Sequence, residues 1–178
     1  MRRAMSALTK KVLFDAETIS LRVTQLGREI SIRHPEGNLL LIGILKGCFM
    51  FMADLVRALD VSCQIDFVRV SSYGSGTCSS GELEIIMDSR IPVENRDVIL
   101  VDDIVDSGLT LCEYRNVVAR RGPRSLKTIA LIDKTGRREK FVELDYCGFR
   151  IEHGFVVGYG LDCDEQYRGL GSLYVLEE

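Results

Sequence analysis

Two hydrophobic periods divide the chain. After Asp15, the apolar residues Ile19, Val23, Leu26 and Ile30 recur every three to four positions, while Arg22, Arg28, Glu29 and Arg33 fall mostly elsewhere on the wheel. That spacing predicts an amphipathic helix ending near His34-Pro35-Glu36-Gly37. Leu39 to Leu45 is instead an unbroken apolar run, the pattern of a strand covered on both faces. Lys46-Gly47 stops the run, and Cys48 to Leu59 resumes with helical character. Cys63 to Val70 predicts a second strand. It leads into Ser71 to Gly81, a stretch dominated by Gly and Ser, after which Glu82 to Met87 alternates again. This segment is expected to form the tip of a long antiparallel hairpin.

Asp97 to Val101 predicts a further short buried strand, and Leu111, Tyr114, Val117 and Val118 fall at helical spacing behind it. Leu126 to Ile132 follows as a strand. Phe155 to Gly158 and Leu173 to Leu176 are two more short strands flanking the turn-rich segment Asp162 to Gly171. Strands alternating with helices predict an α/β fold, with right-handed crossovers and a mainly parallel central sheet flanked by helices.

Composition narrows this picture. With 178 residues, 46% of them hydrophobic, residues 1–178 suit a single domain around one sizeable core. A net charge of -3 without a long Lys/Arg block argues against a nucleic-acid partner and against a polybasic membrane anchor. Met1 to Lys11 lacks the apolar centre of a signal peptide, and no segment offers the roughly twenty apolar residues that span a bilayer. A soluble, cytoplasmic protein is therefore expected. The six cysteines form no Cys-x-x-Cys pair and read as reduced thiols.

In open α/β sheets, ligands sit at the carboxyl ends of the strands. Four strands here end in polar or Gly-containing loops: Lys46-Gly47, Ser72-Tyr73, Asp102-Asp103 and Asp133-Lys134. The third continues into Asp106-Ser107-Gly108-Leu109-Thr110. Between a strand and a helix, that run can aim backbone N–H groups and two hydroxyls at an anion, assisted by the helix dipole, and a monophosphate fits. Taken alone, the run suits a helix cap at Ser107 and a turn at Gly108 equally well. The preceding Asp102-Asp103 pair tips the balance. Carboxylates beside a phosphate repel it unless they bind something else, and ribose hydroxyls or a divalent cation are the natural candidates. A phosphorylated sugar meets both demands. "VILVDD" also looks like a Walker B strand, but no G-x-x-x-x-G-K-[ST] accompanies it.

"VILVDDIVDSGLTL" resembles the phosphoribosyl-pyrophosphate (PRPP) binding motif of the type I phosphoribosyltransferases. "GILKGCFMF", "SSYGSGT", "ALIDKTGRR" and "FVVGYGLDCDEQYRGL" are similar, in order and spacing, to segments of the hypoxanthine-guanine phosphoribosyltransferases, and the similarity covers nearly the whole chain after Lys11. The resemblance implies the type I fold with a small base-binding hood. It also implies purine salvage: transfer of the 5-phosphoribosyl group from PRPP to N9 of hypoxanthine or guanine, giving IMP or GMP plus pyrophosphate, with Mg²⁺ and in a homodimer or homotetramer.

Carried over by resemblance, Ser107, Gly108, Leu109 and Thr110 would hold the 5-phosphate, and Asp102 and Asp103 the ribose hydroxyls. Lys46 and Gly47, joined in many relatives by a non-proline cis peptide, would meet pyrophosphate together with Arg168. Lys134 would recognise the 6-oxo group, Phe155 would stack on the base, and the Val156 backbone would contact it. Asp162 would border the base and bind Mg²⁺, with Asp102 and Asp103 acting on the metal through ribose hydroxyls or water. Asp106 would be the catalytic carboxylate, and Ser72 and Tyr73 would belong to a mobile lid. One departure stands out: relatives commonly carry a Pro-Asp pair where this chain has Glu152-His153-Gly154 before Phe155. The alternatives are a non-catalytic PRPP-sensing regulator on the same fold and an orotate- or uracil-type transferase.

Overall fold

The computed structural model describes residues 9–72 and 83–177. Strand β1 (Thr9–Phe14) runs into Asp15, whose carboxylate accepts a 2.8 Å hydrogen bond from the Thr18 amide and so caps helix α1 (Ala16–Arg33). Helix α1 buries Ile19, Val23, Leu26 and Ile30, the residues picked out by the period, and ends at His34 immediately before Pro35. Strand β2 (Leu39–Leu45) and helix α2 (Phe49–Ala58) follow, then the hairpin arms β3 (Cys63–Ser72) and β4 (Leu83–Met87). Strand β5 (Asp97–Val105), helix α3 (Leu109–Ala119), and strands β6 (Ser125–Lys134), β7 (Tyr146–Ile151), β8 (Phe155–Val157) and β9 (Leu173–Glu177) complete the order.

Six strands form the central sheet in the order β4-β3-β2-β5-β6-β7, with every pairing parallel except β3 with β4. The apolar runs at its centre serve both faces. Leu39, Leu41, Ile99 and Val101 pack with α1 and α2, whereas Leu40, Ile42, Val98 and Leu100 pack with Leu111, Tyr114 and Val118 of α3. A second, three-stranded antiparallel sheet, β1-β9-β8, forms a small hood.

Several boundaries differ from expectation, for identifiable reasons. Strand β5 runs on to Val105, so Asp102 and Asp103 lie inside a strand paired to β6 rather than in a loop. Strand β6 likewise carries Asp133 and Lys134 to its end. Strands β1 and β7 escaped the hydrophobic pattern. β1 is largely exposed and carries Lys10 and Lys11, and β7 is a sheet edge that includes Gly148 and Arg150. Of the expected lid, Ser72 is the last residue of β3, while Tyr73 lies outside the described residues.

At the opposite end of the sheet from these loops, Asp97 accepts hydrogen bonds from Arg124 Nε at 3.0 Å and Ser125 Oγ at 2.7 Å, and its Oδ2 lies 3.3 Å from His34 Nδ1. The Arg124 guanidinium, followed by these other partners, holds the Asp97 carboxyl far below its ordinary range despite burial. A carboxyl depressed in the folded state adds stability above its unfolded pKa of about 3.9 and loses it as pH falls below that value. Asp97→Ala is expected to cost about 2 kcal/mol at pH 7, the scale of losing hydrogen bonds to a charged group, because its partner Arg124 is half exposed and stays solvated. In urea titrations, its deficit relative to wild type should shrink below about pH 4.

Candidate active site

The carboxyl ends of β2, β5 and β6 meet the hood in one cleft. A cavity of ≈ 210 Å³ is lined by Asp103, Asp106, Lys134, Phe155, Val156 and Asp162 among others. A neighbouring cavity of ≈ 180 Å³ is lined by Asp102, Asp106, Ser107, Gly108 and Thr110. Asp106 borders both.

The second cavity is a strand-to-helix turn. Gly108 sits at φ 82° as the N-cap residue of α3, so the alternative of a cap at Ser107 does not hold, although the Leu109 amide reaches Ser107 Oγ at 3.3 Å. Only glycine fits there, because a Cβ would lie 2.4 Å from the Lys140 carbonyl oxygen. That close approach has a cause: the Glu139 and Lys140 amides both donate to the Ser107 carbonyl, at 2.9 and 3.0 Å. Arg138 adds a brace that the pattern did not reveal. It donates to the Val105 and Asp106 carbonyls at 3.1 and 3.2 Å and pairs with Asp133. The turn is thus fixed from outside by the β6–β7 connection, and the first amides of α3, which lack acceptors within the helix, are suited to an anion.

In the first cavity, Lys134 is 8% exposed and its Nζ lies 3.2 Å from Asp106 Oδ2. Arg137 lies 3.9 Å from the same oxygen, while Asp106 Oδ1 is buried without a hydrogen-bond partner. An ammonium donor and an unsatisfied carboxylate acceptor therefore stand side by side, matching a ligand edge that presents an oxygen next to an N–H. Phe155 is 54% exposed, which rules out a simple core role, and its neighbour Val156 is buried. The Glu152-His153-Gly154 departure is accommodated by a turn. The Glu152 carbonyl accepts from the Gly136 amide at 3.1 Å, the His153 ring lies against Gly136, and Gly154 takes φ 118°.

The third part of the site lies beyond Asp103. A Cβ on Gly47 would sit 1.7 Å from Asp103 Oδ2, so the Lys46-Gly47 backbone rests directly on that carboxylate. The non-proline cis bond is Leu45-Lys46, one bond earlier than Lys46-Gly47. Lys46 Nζ pairs with Glu165 Oε1 at 2.8 Å, and Arg168 Nη2 reaches Glu165 Oε2 at 3.1 Å and Asp162 Oδ1 at 2.8 Å. Glu165 thus spans the two cations that the family resemblance placed together, a role the pattern gave no sign of. Burial, and then the neighbouring Asp103, push the Asp102 carboxyl well above the carboxylate range, and burial also raises Asp103. A ligand offering hydroxyls or positive charge relieves that cost.

The fit to Mg²⁺ rests on Asp162. Among the described residues, no group of three or more His, Cys, Asp or Glu side chains could hold a metal ion. Mg²⁺ keeps several waters and commonly takes one or two carboxylates plus substrate phosphates, so Asp162 on the cavity wall suits an ion that arrives with its phosphate. No helix among the described residues is long and apolar enough to cross a membrane.

Residues 12–164 match the phosphoribosyl transferase domain family. The hypoxanthine-guanine phosphoribosyltransferase of Bacillus subtilis is 43% identical over 168 residues, covering 94% of this chain and 93% of its own. A solved structure of a hypoxanthine phosphoribosyltransferase from Staphylococcus aureus superposes with a TM-score of 0.91 at 38% identity, covering 98% of this chain and 97% of that one. The bifunctional protein TilS/HprT of Listeria innocua is 42% identical over 168 residues, and the chain spans 26% of that relative's length.

Proposed function

The chain belongs to the phosphoribosyltransferase family, and from that premise we propose that it is a single-domain purine-salvage transferase of the cytoplasm, acting as a homodimer or homotetramer. It takes PRPP and hypoxanthine or guanine to IMP or GMP and pyrophosphate. The observation that carries this reading is the position of Asp106 between two cavities. One cavity is built for a sugar phosphate, and the other carries a donor, an acceptor and an exposed aromatic ring suited to a planar base. A regulator that only senses PRPP has no need of the second.

Ser107 to Thr110 hold the 5-phosphate on backbone N–H groups and hydroxyls. Asp102 and Asp103 accept from the ribose hydroxyls. Lys134 donates to the purine 6-oxo group, Phe155 stacks on the ring, and Asp106 takes the proton that the attacking purine sheds. Lys46 and Arg168 leave Glu165 and Asp162 for pyrophosphate, stabilising negative charge where it develops. Asp162 would hold Mg²⁺, with Asp102 and Asp103 acting through water or ribose hydroxyls, and the bound ion would supply charge neutralisation at the leaving pyrophosphate.

The test is transfer from PRPP with Mg²⁺ to each of hypoxanthine, guanine, xanthine, adenine, orotate and uracil. IMP and GMP formation is expected. PRPP binding without transfer to any base would return the chain to a sensing role, and transfer only to a pyrimidine would reassign the base. Losing a charged hydrogen bond costs about 1.5 to 3 kcal/mol. Lys134→Ala should therefore lower kcat/KM for hypoxanthine roughly 10- to 100-fold and narrow the gap between hypoxanthine and adenine; unchanged kinetics would remove Lys134 from the base site.

A further inference from the structure

Tyr159 is 6% exposed and takes φ 49°, a left-handed conformation rare outside glycine. Its ring packs in the core beside α2, but its hydroxyl has a more specific partner, the Asp54 carboxylate, which also pairs with Arg57. Burial and Asp54 both raise the phenol's pKa, so it stays a donor. Asp54 lies in the helix that begins just after Lys46-Gly47-Cys48, one helical turn beyond Met50 and on the same face. The next residue after Tyr159 meets that face too. A Cβ on Gly160 would lie 3.7 Å from Met50 Cβ and 2.1 Å from the Gly47 carbonyl oxygen. Gly160 also exchanges hydrogen bonds with Arg168: its carbonyl accepts from Nη1 at 2.8 Å, and its amide donates to the Arg168 carbonyl at 2.9 Å. One face of α2 therefore holds the turn at Tyr159 and lies beside it at Gly160, and that turn both touches Gly47 and is hydrogen-bonded to Arg168.

We infer that Asp54 and the Tyr159 hydroxyl form a latch that positions the Gly158-Tyr159-Gly160 turn against the Lys46-Gly47 loop, and so sets how tightly the pyrophosphate end of the substrate is held. This rests on the reading that Lys46, Gly47 and Arg168 meet pyrophosphate. Neither latch residue touches substrate; both are positioning residues. A role confined to core packing would require the ring of Tyr159 but not its hydroxyl.

The test uses Tyr159→Phe, Asp54→Ala and Asp54→Asn in the reverse reaction, IMP plus pyrophosphate. Losing the latch should raise the pyrophosphate KM about ten-fold, the scale of one charge-assisted hydrogen bond, while the IMP KM stays within about two-fold. Asp54→Asn keeps an acceptor for the hydroxyl and should recover most of the loss seen in Asp54→Ala. Amide exchange supplies a second readout independent of turnover: the Gly160 N–H should exchange faster in Tyr159→Phe with Tm little changed. An unchanged pyrophosphate KM, an equal rise for IMP, no recovery by Asn, or unaltered Gly160 exchange would overturn the latch. The underlying reading fails separately, if Lys46→Ala and Arg168→Ala leave pyrophosphate binding at its wild-type strength while Gly160 exchange still responds to Tyr159→Phe.

Discussion

Asp106→Asn is expected to lower kcat by about 10²- to 10⁴-fold, the usual contribution of a positioned general base, with little change in PRPP affinity. An incoming purine attacks through N9 and must lose a proton from its imidazole ring. Asp106 is the carboxylate bordering both the base cavity and the phosphate turn, and its buried Oδ1 has no partner of its own. Asn keeps the size of the side chain but cannot take up the proton. The backbone bonds that hold the turn do not involve the replaced group: Arg138 Nε binds the Asp106 carbonyl, and residues 139 and 140 bind the Ser107 carbonyl. The phosphate cradle should survive. Measuring kcat and the PRPP dissociation constant on the same preparation decides the point. A large loss of PRPP binding with kcat retained would make Asp106 a structural brace.

Gly47→Ala should be nearly as damaging, for a steric reason. The new methyl would sit 1.7 Å from Asp103 Oδ2, and Gly160 already lies so close to the Gly47 carbonyl oxygen that a Cβ there would sit 2.1 Å from it. Asp103 has few alternative positions, being short and next to Asp102 in a paired strand. Overpacking of this kind costs about 2 kcal/mol, a fall in Tm of roughly 6 °C for a chain of this size. The activity loss should be larger, on the order of 10²-fold in kcat/KM for PRPP, because misplacing the contacts of a bound substrate by an ångström has that effect. Adding Asp103→Ala should restore Tm towards that of Asp103→Ala alone without restoring PRPP use. A Gly47→Ala protein with wild-type Tm and kinetics would show that the loop yields freely.

How much of this was legible beforehand depends on how local each signal is. The turn proposed to hold the phosphate was readable because strand, acids, glycine and helix start all fall within Asp97 to Ala119, and each leaves its own local mark. The central strands were readable because burial on both faces forces continuous apolar runs. Strands β1 and β7 were not, since edge positions tolerate lysine, arginine and glycine. Family likeness gave Lys134 and Asp106 separate roles in one site, but their contact, which spans 28 residues and two strands, was not legible. Glu165 left no trace at all: its partner Lys46 is 119 residues away, and a glutamate in a turn-rich segment looks like any solvated charge.

The hood also sets the order in which the cleft can be made. Phe155 pairs with Leu176 across β8 and β9, and β9 is in turn completed by β1, where Thr9 faces Glu177. A contact joining residues that far apart closes almost the whole described chain into one loop, so it contributes a high-separation step to assembly. A nascent chain emerging from the ribosome can therefore pair β2, β3, β5 and β6 and shape the phosphate turn well before it can seat Phe155. The half of the cleft proposed to grip the sugar phosphate is available early in synthesis, whereas the half proposed to select the base waits for residues 173–177.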